Sequence, residues 1–467
     1  MSHETNRRRF LQTTAMTGVG VWVAGRLSAE EPKSANGRIA MAAVGLGGKG
    51  SSDSRDAGNF GDMVAICDID ENTLNKAGEK RYPKAKRYTD FRKMLEEMGD
   101  SIDAVTVSSP DHTHAPAALM AMRMGKHCFC QKPLTHTIYE ARLMAEVARD
   151  KGVATQMGNQ GTASNSLRKA AAIVKSGVLG TVREVHVWTN RPIWPQGGDR
   201  PKPAQCPPHV KWDLWLGPAA YRPYANGYHP FAWRGYWDFG TGALGDMACH
   251  TVNMPYMALN LRDPVAVQAE CSGHNKESYP KWSIIHFDYP ELNGRAAVKF
   301  TWYDGGKRPS MELLEGKQMS PSGCLVRGDK GGLYAPGDYA DKELHMLGGA
   351  QMPEVKWEES PGHFEEWIRA IKGGPEARSN FPGYAGGLTE TILLGNLAVW
   401  AAASGKGERV EWDAKNMRSP NVAGLETIIK PTYREGYTLD ETSSAAGGYV
   451  PYVPGGMLRR RLRRVRS

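Results

Sequence analysis

The chain is constrained first by residues 38–68, where RIAMAAVGLGGKG is followed by SSDSRDAGNFGDMVAICD. An apolar run, Ile39 to Val44, meets Gly45-Leu46-Gly47-Gly48-Lys49-Gly50, a G-x-G-x-x-G turn. A second apolar run, Met63 to Cys67, stops at Asp68. Strand, glycine turn, helix, strand and acid in that order describe a Rossmann βαβ unit. Gly45 permits the tight turn, Gly47 lets backbone amides approach a pyrophosphate, and Gly50 lets the helix close on the strand. The helix N-terminus then holds the phosphates. Asp68 stands 18 residues beyond Gly50. From there it can accept hydrogen bonds from an adenosine ribose and repel a 2′-phosphate, so the expected cofactor is NAD. In a chain with 53 glycines the turn alone is weak evidence, and its flanking strands and acid give it meaning.

At 467 residues the chain exceeds what one hydrophobic core organises, so two domains are expected. No apolar run approaches the roughly 20 residues of a membrane helix, so no membrane span is expected. The net charge of +9 sits at the ends. Residues 1–29 carry +3 and Arg459 to Ser467 carries +6, which leaves the body neutral and disfavours a nucleic-acid partner. Arg7-Arg8-Arg9-Phe10-Leu11, followed by a mild apolar stretch and small residues near Ala29, resembles a twin-arginine export signal. It implies export of folded protein to the periplasm. Seven cysteines do not suggest a disulfide scaffold, and Cys128-x-Cys130 has the wrong spacing for a zinc knuckle and fits core packing.

The strands Ile102 to Val107 and Lys126 to Cys130 end in Ser108-Ser109-Pro110-Asp111-His112-Thr113-His114 and in Gln131-Lys132-Pro133-Leu134. At the carboxyl ends of parallel strands, both segments are expected to line the cofactor crevice. Helices are expected from Asp70 to Lys80, from Asp90 to Leu95, from Ala115 to Met124 and from Ile138 to Asp150. Gly158-Asn159-Gln160-Gly161 reads as a boundary. Beyond it, alternating runs such as Val182 to Trp188, Val265 to Cys271, Trp282 to Phe287 and Ala296 to Trp302 predict a large, mostly antiparallel sheet. An aromatic, proline-rich insertion, Arg191 to Trp237, is expected to pack as core or loop, or to stack on carbohydrate where it borders a cleft. The expected class is α/β, an N-terminal doubly wound parallel sheet followed by an α+β domain. The segments are a signal peptide at 1–29, the NAD-binding domain at 30–158, a substrate and oligomerisation domain at 159–440, and a disordered Arg-rich tail at 441–467.

Two clusters are candidates for chemistry: Lys132-Pro133 beside the nucleotide, and Asp246 with His250, four apart and so on one face of a helix with small apolar neighbours. With VGLGGKG (Val44 to Gly50), CDID (Cys67 to Asp70), SSPDHTHAPAAL (Ser108 to Leu119), QKPL (Gln131 to Leu134) and GDMACH (Gly245 to His250), the chain resembles the Gfo/Idh/MocA oxidoreductases from about Arg38 to about Thr438. The resemblance implies Lys132, Asp246 and His250 as the catalytic group. It implies Gly45, Gly47, Gly48, Gly50, Asp68, Pro110, His114 and Lys132 as contacts of NAD, and the export signal, leading to a compartment without an NAD pool, adds the expectation that this NAD is tightly bound. The resemblance further implies a carbohydrate or cyclitol substrate, a homo-oligomer and no resident metal. In the implied reaction a secondary hydroxyl is oxidised: His250 takes its proton, Lys132 stabilises the alkoxide, and Asp246 binds a neighbouring hydroxyl or orients His250. The departure is Gln131, where the family usually has glutamate. Three alternatives stand beside this reading. They are a redox-neutral glycosidase working by transient oxidation, a metal-assisted lyase or isomerase with Asp246 and His250 as ligands and His209 or His286 as a further one, and a non-catalytic sugar-binding or scaffold protein.

Overall fold

The computed structural model of the chain describes residues 38–439. The expectations for residues 1–29 and 441–467 lie outside the described residues. Strands and helices alternate through the first unit: β1 (Ile39–Val44), α1 (Gly48–Gly58), β2 (Gly61–Cys67), α2 (Glu71–Lys80), β3 (Lys86–Tyr88), α3 (Phe91–Met98), β4 (Ala104–Val107), α4 (Asp111–Arg123), β5 (His127–Cys130), α5 (Ile138–Lys151) and β6 (Thr155–Met157). All six strands pair in parallel, in the order β3-β2-β1-β4-β5-β6. The order reverses between β1 and β4, and a doubly wound sheet binds its ligand at such a switch point. Helices cover both faces, which is why β1 and β4 are buried at every position and read as unbroken apolar runs.

Local chemistry sets the helix starts. The Asp70 carboxylate accepts from the Asn72 and Thr73 amides at 2.9 and 3.3 Å to cap α2, and Asp90 caps α3 through the Arg92 amide at 2.9 Å. Thr137 and Glu140 form a reciprocal capping box at α5. The helix α4 begins four residues before the expected Ala115. Pro110 stands extended at its cap and Asp111 puts an acid in the first turn, where the helix dipole favours it. Asp111 to His114, expected as loop, are therefore helical and buried.

The second unit comprises α6 (Asn165–Lys175), β7 (Val182–Trp188), α7 (Trp212–Leu216), α8 (Gly242–Thr251), α9 (Asn253–Leu259), β8 (Ala266–Cys271), β9 (Ser283–Tyr289), β10 (Val298–Tyr303), β11 (Gly323–Gly328), β12 (Gly331–Pro336), β13 (His345–Leu347), α10 (His363–Ile371), α11 (Gly386–Ala401), β14 (Val410–Glu411) and α12 (Glu426–Ile429). Its eight strands run β13-β12-β11-β7-β10-β9-β8-β14. Neighbours are antiparallel except β7 and β10, which lie parallel, so the sheet is mixed. The helix α11 is mostly apolar and almost wholly buried, and its polar Glu390 and Asn396 are engaged by Arg142 and by the Thr241 carbonyl. It lies against α5 of the first unit and against α8, β8 and β9 of the second, so both units share one core.

Candidate active site

The glycine turn after β1 is built for close backbone approach. Gly45 adopts φ +84°, and a Cβ there would stand 2.7 Å from the Ser108 backbone; one at Gly50 would stand 2.2 Å from the Gly45 carbonyl oxygen. Gly48, at φ +49°, opens α1 with free space around it. Asp68 closes the turn from β2: its Oδ2 accepts the Leu46 amide at 2.8 Å and its Oδ1 the Asp70 amide at 2.9 Å. Burial pushes its carboxyl above the ordinary range, against the pull of those amides. A cleft of about 750 Å³ runs from this turn past Pro110, His114 and Lys132 to Asp246 and His250. Glycines that exclude any Cβ, a helix N-terminus facing the cleft and an acid at the far end fit the pyrophosphate and adenosine ribose of NAD.

The insertion after β7 covers the adenosine end. Its backbone pairs with the residues after β2: the Glu71 amide donates to the His209 carbonyl and the Lys211 amide to the Ile69 carbonyl, both at 2.9 Å. A Lys211–Glu71 ion pair at 3.0 Å and a His229–Asp70 contact at 3.4 Å lie beside them. Leu214, Trp215, His229 and Pro230 form the cleft wall opposite the sheet. The C-terminal segment clips this strap down. Arg434 reaches the Gly217 carbonyl at 2.9 Å and Asp213 at 2.6 Å, while Tyr437 lies under the Arg92 guanidinium, 4.3 Å from its ring centre.

At the other end, β5 delivers Lys132 and α8 delivers Asp246 and His250. The Lys132 ammonium donates to the Asp246 backbone oxygen at 2.7 Å and to its Oδ1 at 2.8 Å. Arg234 lies 3.4 Å from Oδ1 and Arg191 lies 3.7 Å from Oδ2. Burial alone would raise the Asp246 carboxyl, but Lys132 and then Arg234 reverse this and hold it well below the usual carboxylate range. Arg234 is itself fixed by Asp111, its Nη1 lying 2.9 Å from each carboxylate oxygen, with Thr241 donating to the same carboxylate at 2.6 Å. His250 is 3 % exposed, and Tyr339 packs edge-on with ring centres 5.0 Å apart. Its Nδ1 has no hydrogen-bond partner among the described residues. Burial, then the Lys132 charge, depress its pKa well below the ordinary histidine value, so the imidazole is neutral.

The sequence-selected residues thus lie along one cleft, with two changes of emphasis. His114 places one ring nitrogen 2.9 Å from the Pro133 carbonyl and the other 2.7 Å from the Ser109 carbonyl, so it ties the two strand-end segments together. Asp246 engages Lys132 and two arginines, with no hydrogen bond to His250, so the expected orientation of His250 by Asp246 gives way to orientation of Lys132. Reasoning from sequence did not select Arg191, Arg234, Asp111 or Tyr339. They come from the insertion, from the first turn of α4 and from the loop after β12, and only the fold brings them together. The proposed extra metal ligands are dispersed: His209 lies 4.0 Å from Asp70, and His286 faces Thr301 across the sheet. Among the described residues no three or more His, Cys, Asp or Glu side chains form a metal-binding group.

A glycine-cradled switch-point crevice, roofed by an α/β unit that supplies Asp246 and His250 opposite Lys132, defines a two-unit NAD-binding oxidoreductase architecture. Residues 39–159 match the model for an oxidoreductase family with an NAD-binding Rossmann fold, and residues 161–439 match that family's C-terminal alpha/beta domain. The chain belongs to the Gfo/Idh/MocA oxidoreductase family. It is 27% identical over 147 residues to the inositol 2-dehydrogenase of Salmonella typhimurium, covering 31% of this chain and 43% of that protein. It is 24% identical over 175 residues to the levoglucosan dehydrogenase of Pseudarthrobacter phenanthrenivorans, covering 38% and 37%. The chain therefore spans less than half the length of the curated relatives it matches. The WlbA dehydrogenase from Bordetella pertussis, solved with NADH and UDP-GlcNAcA, shares the fold at a TM-score of 0.56 and 18% identity, covering 80% of this chain and 99% of that one.

Proposed function

We propose that this protein oxidises a secondary hydroxyl of a sugar, glycoside or cyclitol, using an NAD that stays bound. The observation behind the reaction is the meeting of Lys132, Asp246 and neutral His250 at the end of a nucleotide crevice. NAD, when bound, supplies the hydride acceptor. His250 takes the proton of the reacting hydroxyl, for which an uncharged imidazole is required. Lys132 donates to the same oxygen as negative charge builds on it. Asp246 keeps the Lys132 ammonium aimed and compensated, and Arg234 and Arg191 hold Asp246 ionised. Trp194, Phe231 and Trp233 line the cleft, where aromatic side chains suit a sugar ring. Two relatives named for acting on a cyclitol and an anhydrosugar support this substrate class.

The strap over the adenosine end supports retention of the cofactor, because NAD leaves only when residues 209–216 and the clip at Arg434 release. The twin-arginine-like start supports a periplasmic location, and the family resemblance supports a homo-oligomer. The test is a panel of sugars, glycosides and cyclitols, with the near-ultraviolet fluorescence of bound reduced nicotinamide and the products both measured. Reduction of bound nicotinamide by a panel member is the expected result. Cleavage of a glycoside with no net redox change identifies the redox-neutral glycosidase instead. Inertness of nucleotide-loaded protein toward the whole panel refutes the enzymatic reading.

A further inference from the structure

Beneath the nucleotide turn lies a carboxylate that the mechanism above does not use. Asp53, on α1, has a side chain 1% exposed. Its Oδ1 accepts the Lys49 ammonium at 2.7 Å, and its Oδ2 accepts the Ser108 hydroxyl at 2.8 Å and the Gln131 amide nitrogen at 2.9 Å. One carboxylate thus joins the three segments that follow β1, β4 and β5 on the floor of the crevice. Gln131 passes the connection on: its Oε1 accepts the backbone amide of Lys132 at 3.1 Å. The amide fits both tasks at once, with its nitrogen as donor to Asp53 and its oxygen as acceptor from Lys132. Gly158 leaves the room for it, since a Cβ there would stand 2.4 Å from the Gln131 nitrogen.

A glutamate at this position would face Asp53 at hydrogen-bond distance, and two buried carboxylates so placed cannot both be ionised. We infer that Asp53 and Gln131 act as one positioning unit for Lys132, with the single negative charge carried on α1. The inference rests on the Lys132 role proposed above. The titratable groups facing the pair are Lys49 on α1 and Cys130 on β5, and burial first, then neighbouring Cys128, Asp111 and Asp53, raise the Cys130 thiol, so it stays protonated.

The experiment compares the parent with Gln131→Glu, Asp53→Asn and the double variant, reading the rate of hydride transfer to bound nicotinamide against pH, and thermal stability with nucleotide content alongside. Gln131→Glu should lose on the order of tenfold or more at neutral pH and recover as pH falls, because the introduced carboxyl, once protonated, reproduces the donor and acceptor of the glutamine. The double variant, with the charge moved from α1 to the end of β5, should return to within a few fold of the parent. Single-variant losses that the double variant only adds together overturn the inference, as does a Gln131→Glu profile with the parent's shape. Should a variant fold poorly, the stability half of the cycle still reports the coupling, since it needs no turnover. The same half survives if no substrate is found, which separates failure of this inference from failure of the proposed reaction.

Discussion

His250 carries the sharpest residue-level expectation. Its pKa is depressed by burial and then by Lys132, so it stays neutral well below pH 6.5 and remains able to accept a proton there. Turnover per folded molecule should therefore show no histidine limb between about pH 7 and 5.5, where an ordinary imidazole would titrate. His250→Ala should lose about a hundredfold or more of turnover while nucleotide content is unchanged, and a variant that keeps near-parental rates would remove the proton-transfer role. This part of the site was legible in the sequence because Asp246 and His250 share a helix face and Lys132 follows a recognisable strand. The charges around them were not. Arg191, Arg234 and Asp111 stand far apart along the chain, and Arg234 reaches Asp111 only because the insertion folds back over α4. Gln131 could be seen in the sequence, but its partner, Asp53, sits on another element.

At the scale of elements, the turn from β1 into α1 leaves no room for a side chain at Gly50. Gly50→Ala would set a Cβ 2.2 Å from the Gly45 carbonyl oxygen, a backbone atom that cannot swing aside. The turn must distort, and nucleotide content should fall sharply in that variant while the rest of the fold persists; unaltered nucleotide binding would show that the turn does not cradle the pyrophosphate. A second joint is His112, whose ring nitrogens lie 2.9 and 3.2 Å from the Trp215 and Phe239 carbonyls; the neutral ring carries one N–H and donates to one of the two, fastening α4 to residues 215–239. Burial pulls its pKa down to about 3 from 6.5, so the unfolded chain takes up the proton first as pH falls. Stability is full above about pH 6.5 and declines below it, by on the order of 1.4 kcal/mol per pH unit for this histidine. Denaturation midpoints measured from pH 7 to 5 should fall, and His112→Gln should flatten the slope; a flat parental profile would contradict the buried neutral state. The repeating βα pattern was legible because each buried strand is a short apolar run and most of the helices carry caps. The strap was not, since residues 191–237 show neither helical nor strand period. Their order comes from pairing with residues 69–71 and from the Trp212, Trp215, Tyr228 and Phe239 cluster. Strands β11 and β12 escaped for a related reason, their glycines weakening the alternation, and β13 is only three residues long.

Across the whole molecule, several contacts join the two units, and three of them bear on the cofactor. The helix α11 fuses the cores behind the crevice, Lys132 and Asp246 bridge it at the reacting end, and the strap with its Arg434 clip closes it at the adenosine end. An NAD lying in the cleft would then be held along its length, and its release would require the strap to lose its backbone bonds to Glu71 and Ile69 together with the Tyr437 and Arg434 contacts. Such an opening is a collective event, slower than ligand departure from an open crevice. The proposed export of folded protein adds a demand of the same kind, because a compartment without a nucleotide pool cannot refill an empty site. Survival through export and many turnovers corresponds to nanomolar affinity or tighter, at least about 12 kcal/mol of binding. A nicotinamide that never leaves must be reoxidised in place, by a second carbonyl substrate or by an intermediate of the first. Protein purified without nucleotide and dialysed extensively should therefore contain close to one NAD(H) per chain, and added NAD should change its turnover little. Shortening the C-terminal segment before Arg434 should raise the rate at which bound nucleotide exchanges with free NAD, while leaving the hydride-transfer rate of loaded protein near the parental value. Empty protein that turns over only when NAD is supplied would refute retention, and an exchange rate indifferent to the loss of the clip would move the cause of retention away from the strap.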